Sequence, residues 1–63
     1  MHDQVLGYER ELKALMARYE GERQAIIDRN DGDFNDAVQA AIRILNGEER
    51  TERALLALEW GLA

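Results

Sequence analysis

At 63 residues, with 13 acidic against 8 basic side chains and a net charge of −5, the chain has room for one small domain that hides only about 60% of the surface its unfolded form exposes. The absence of Cys, with His2 as the single His, excludes a disulfide scaffold and a Cys/His zinc site. There is also no Ser and no Pro, so most side chains used for covalent catalysis are missing and neither an enzyme nor a bound cofactor is expected.

The first element predicted is a helix over 3–29. Val5, Tyr8, Leu12, Leu15, Tyr19 and Ile26 recur at spacings of three and four, which places them along one helical face, with Met16 widening the stripe. The member due between Tyr19 and Ile26 is Glu22, a polar interruption of the seam. Glu9 with Lys13 and Glu20 with Arg23 are spaced to pair on the outer face. Gly7 and Gly21 each cost about 1 kcal/mol against Ala inside a helix, and Gly21 is the place where this helix would break.

Asn30, Asp31, Gly32 and Asp33 form a turn signal, after which Asp33 is positioned to cap a second helix and Asp36 to reach back to it. That helix is expected over 34–46, with Phe34, Ala37, Val38, Ala41, Ile42, Ile44 and Leu45 as its apolar set, ending at Asn46 and Gly47. A third helix over 48–61 would carry Glu48 and Glu49 in its first turn, where the helix dipole favours them. Leu55, Leu56, Leu58 and Leu62 form its apolar face, with Trp60 beside it.

These elements make the fold all-α and residues 1–63 a single domain: one long helix against two short ones, as a hairpin with a bent second arm or a three-helix bundle. A lone core below about 70 residues supplies only ~3–5 kcal/mol. A two-layer hairpin also leaves an apolar groove open, so the expected solution is a homodimer closed as a four-helix-type bundle. Val5, Tyr8, Leu12, Leu15, Met16, Tyr19, Leu55, Trp60 and Leu62 are the expected interface residues, and Trp60 the expected anchor, because Trp is enriched among interface hot spots.

Chemistry-bearing patterns are sparse. The acidic run 28–36 has oxygen ligands and a glycine, but no register sets Gly32 at the sixth loop position with acidic residues at the first and third. No Glu has a His three residues later, as a di-metal bundle site requires. Basic residues are scattered and the charge is negative, which disfavours nucleic acid as a partner. In a helix-turn-helix through Asn46 and Gly47, the leading residues Glu48, Glu49 and Glu52 would repel phosphates. The alternative expectation is an acidic nucleic-acid mimic that blocks a DNA- or RNA-binding protein, although mimicry needs a dense single-sign face and arginines interrupt this one.

The leading expectation is a small acidic protein–protein interaction module, acting as regulator, adaptor or inhibitor of another protein. Compact acidic chains of this kind suit phages and mobile elements that antagonise host systems. No stretch approaches the ~20 apolar residues of a membrane span, and 1–9 lacks the basic and apolar regions of a signal peptide. The expected setting is the cytoplasm, with no membrane association.

Overall fold

The computed structural model describes residues 2–62. Two helices, α1 (His2–Arg29) and α2 (Asp36–Glu59), lie side by side as an antiparallel hairpin. Their lengths of 28 and 24 residues correspond to roughly 42 and 36 Å at 1.5 Å per residue. The Cα envelope measures 45 × 16 × 10 Å, one helix thick.

The connection follows the turn signal closely. The last turn of α1 is closed by Gly32 N–H donating to Ile27 O at 2.9 Å, while Asp31 and Gly32 take φ values of 56° and 77°. That left-handed pair turns the chain out of the helix and satisfies carbonyls that α1 leaves open. The Asn30 amide adds a bond to Ile26 O at 2.7 Å. The cap of α2 is Asn35 rather than Asp33: its Oδ1 accepts from Val38 N at 2.9 Å. The helix therefore starts two residues later than its expected start at Phe34, which sits in the turn and is exposed.

The larger departure is that the two short helices expected over 34–46 and 48–61 are one. α2 runs through Asn46 and Gly47 without a break, and α1 runs through Gly21 in the same way. A glycine costs a helix about 1 kcal/mol, and contacts across the hairpin hold the segment around Gly47 to α1. The Arg23 Nη1 donates both to Asn46 Oδ1 at 3.0 Å and to Glu49 Oε1 at 2.9 Å, bracketing Gly47 on either side. Thr51 Oγ1 donates to Gly47 O at 3.1 Å within the same stretch. The bent second arm, the three-helix bundle and the turn of a helix-turn-helix at this point are thereby replaced by a straight helix.

Where the two helices meet, α1 turns in Tyr8, Leu12, Leu15, Tyr19, Arg23 and Ile26, and α2 turns in Val38, Ile42, Leu45, Glu49, Glu52 and Leu56. Arg23, not Glu22, continues the α1 seam, and Glu22 is exposed. The heptad reading that selected Glu22 advances 3.5 residues per turn, whereas a straight helix advances 3.6 and drifts onto the next residue within a few turns. Among the described residues the buried apolar side chains are Tyr19, Val38 and Leu56, of which Val38 alone is fully enclosed.

Candidate interaction face

Two polar layers cross the middle of the hairpin. In the first, Glu52 of α2 accepts hydrogen bonds from the Tyr19 hydroxyl and from the Arg18 guanidinium, which also lies over the Tyr19 ring at 5.0 Å. The bond to Glu52 is the main reason that the Tyr19 hydroxyl is held above its usual pKa, with removal from water adding to it. The Tyr19 bond and then the Glu52 charge raise the Arg18 pKa. In the second layer Arg23 bridges Glu20, at 3.0 Å along α1, and Glu49, at 2.9 Å across to α2. The bond to Glu20 leads and that to Glu49 follows in raising the Arg23 pKa. Among the described residues no buried side-chain nitrogen or oxygen lacks a partner.

At the open end of the hairpin the Trp60 indole folds back across α1. A Cβ on Gly7 would lie 2.6 Å from Trp60 Cη2, so the ring rests directly on the glycine backbone. Its Nε1 donates to Glu11 Oε2 at 2.8 Å. Gly61, with φ 70°, and the Leu62 N–H, which donates to Ala57 O at 2.8 Å, close the end of α2.

The interface residues expected from the sequence divide into two groups. Tyr8, Leu12, Leu15 and Tyr19 line the contact between the two helices, and Trp60 is half-buried on Gly7. Val5, Met16, Leu55 and Leu62 remain exposed. Two exposed residues that the sequence reading did not assign to the interface, Ile44 at 65% and Leu58 at 60%, join Leu55 at 54% and Leu62 at 50%. With Ala37, Ala41, Glu48 and Thr51 they complete a second stripe down α2, spaced four and three residues apart along its whole length. The stripe is continuous only when 36–59 is read as one helix, because a break at Gly47 assigns Ile44 to one short helix and Leu55, Leu58 and Leu62 to the apolar face of another.

Two depressions lie along this stripe where α2 meets α1. One, of about 540 Å³, is lined by Tyr19, Ile44, Gly47, Glu48, Thr51 and Glu52. The other, of about 210 Å³, is lined by Leu15, Glu52, Leu55, Leu56 and Glu59. Both sit on the face that carries Arg18 and Leu15 of α1. A third, of about 240 Å³ and lined by Phe34, Gln39, Ile42, Arg43 and Asn46, sits near the turn.

Among the described residues no three His, Cys, Asp or Glu side chains converge to hold a metal ion, and no helix is long and apolar enough to cross a membrane. The carboxylates nearest the larger depression include Glu52, already engaged by Tyr19 and Arg18. Comparison with protein-family models, with curated proteins and with solved structures finds no match for this chain.

Proposed function

We propose that the protein is a small acidic protein–protein interaction module, a regulator, adaptor or inhibitor whose working form is a helical assembly closed over the outer stripe of α2. The single observation that carries this reading is the stripe itself: Ile44, Leu55, Leu58 and Leu62, each at least half exposed, on one side of a hairpin too thin to bury them. Their residual exposure is a standing cost of about 25 cal/mol per Å² of apolar surface, recovered only when another surface covers it. The four-helix-type bundle expected from the sequence is the simplest closed form of such a layer. The charged outer surface then remains for the regulated protein. Nucleic-acid mimicry is less well supported, because Arg18 and Arg23 neutralise Glu52, Glu49 and Glu20 within the chain.

The test is the double variant Leu55→Asp, Leu58→Asp, examined by light scattering for self-association and by tagged capture for foreign partners. Both residues are more than half exposed, so helical circular dichroism should be largely retained while association of either kind is lost. Association undiminished in the variant, or a wild-type chain that associates with nothing, would refute the reading.

A further inference from the structure

We propose that the occupant of the α2 stripe is a second copy of this chain, docked antiparallel so that Leu55 of each copy enters the depression at Gly47 of the other. The inference rests on the stripe being an assembly surface and adds the partner, the direction and the contact.

The accessible surface supplies the first argument. The chain exposes 4822 Å², against about 4,100 Å² for a compact monomer of 7.2 kDa. Its radius of gyration of 14.5 Å exceeds the roughly 10.6 Å of a compact 63-residue domain. A flat face of 45 by 16 Å offers about what a standard interface takes from each partner, near 800 Å². One copy thus has the surface that a stable dimer needs and lacks the shape of a self-sufficient monomer.

The larger depression identifies the contact. A knob from a facing helix fits a hole made by residues i, i+3, i+4 and i+7, and Ile44, Gly47, Glu48 and Thr51 have that spacing and line the depression. Gly47 deepens it, since nothing lies within 4 Å of where its Cβ would be. The hole is centred at 47–48. In an antiparallel pair with its two-fold axis near Thr51, the residue arriving there is Leu55, and Leu58 arrives at Ile44. A parallel pair would instead bring Glu48 of each copy to the hole that its counterpart's Glu48 and Glu52 already line, setting like charges against one another at considerable cost.

Charges on α1 obey the same axis. Tyr19 and Arg18 bond Glu52, which puts residue 20 of α1 level with Thr51 of α2. A two-fold axis at that level sets Arg18 level with Glu22 of the second copy and Glu11 level with Arg29 of the second copy, opposite charges in both cases. The apolar pairs on α2 and the charged pairs on α1 are symmetric about one point, which a surface shaped for an unrelated partner has no reason to be.

The chain has no Cys, so introduced thiols report the arrangement directly. Ile44→Cys and Leu58→Cys, oxidised separately, should each stay largely uncrosslinked, since like positions lie about 20 Å apart in the antiparallel pair. Mixed in equal amounts, they should form the 44–58 disulfide, which needs Cα atoms within about 7 Å. Gly47→Met, which fills the hole and whose Cβ finds no atom within 4 Å, should keep the hairpin helical and weaken dimerisation at least tenfold. Self-crosslinking of each single variant, or Gly47→Met dimerising like the wild type, would overturn the proposal. So would a wild-type chain that stays monomeric; if it then captured another protein only with Leu55 and Leu58 intact, the second copy would be excluded and the broader reading of the stripe would stand.

Discussion

Substituting Gly7 and Gly21 by Ala separates local helix propensity from tertiary contact, because the two glycines occupy the same helix in opposite surroundings. On propensity alone each change favours α1 by about 0.5–1 kcal/mol. At Gly21 nothing lies within 4 Å of the new methyl group, so the gain is kept and Tm rises by roughly 4 °C, at about 4–8 °C per kcal/mol for a chain of this size. At Gly7 the methyl would stand 2.6 Å from Trp60 Cη2 and 3.3 Å from Cζ2 and Cζ3, where carbon atoms in contact prefer about 3.5–4.0 Å. The indole must retreat by about 1 Å. That displacement loosens its bond to Glu11, worth about 0.5–1.5 kcal/mol when made, and forfeits a quarter to a half of the dispersion energy at each opened contact. The net result expected is a loss of about 0.5 kcal/mol and a fall in Tm of roughly 2–4 °C. Thermal denaturation at matched protein concentration reads the difference, and the emission of Trp60, the single tryptophan, should shift to the red in Gly7→Ala alone. A Gly7→Ala protein as stable as Gly21→Ala, with unchanged emission, would show that the indole does not rest on α1.

The cap of α2 makes a second comparison: Asn35→Ala should cost about 1 kcal/mol in chemical denaturation, while Asp33→Ala should cost a few tenths at most, and the reverse order would return the cap to Asp33. The Tyr19 hydroxyl predicts how stability depends on pH. Its folded pKa is raised above the ordinary tyrosine value by the bond to Glu52, so the unfolded chain loses this proton first. The stabilisation is therefore complete below about pH 10 and is lost as pH rises towards and through the folded pKa. Ultraviolet titration of tyrosinate should resolve a late step that moves down in Glu52→Gln, and a step that stays put would break the assignment of that bond.

The helical class, the turn at 30–33 and nearly the whole extent of α1 were legible in the sequence, because apolar spacing and turn residues are local signals. The second arm was misread at Gly47, where a local propensity pointed to a stop and a nonlocal clamp won: Arg23 holds Asn46 and Glu49 from a residue more than twenty positions away. The same limitation hid Glu49 and Glu52. A carboxylate on a charged helix looks like solvated surface until its cation is known, and here Arg23 and Arg18 come from the other arm. The expected interface residues shared their periodicity with the hairpin's own core, so Tyr8, Leu12, Leu15 and Tyr19 were spent on folding. Ile44 and Leu58 were read as apolar-face members of two separate helices, and their place on one outer stripe could be recognised only once the continuity of α2 was seen.

The two polar layers also fix how far the arms can slide. Two uniformly greasy helices could slip past each other by one heptad and find nearly equivalent packing. Here a seven-residue slip would bring Arg23 opposite Leu56 or Ile42 and Glu52 opposite Ile26 or Leu12, leaving charged groups against hydrocarbon with their partners gone. The tyrosine, two arginines and two glutamates therefore act as a register key, trading some apolar burial for a single permitted alignment. A chain with so thin a core keeps one structure less by the depth of its energy minimum than by the poverty of the alternatives.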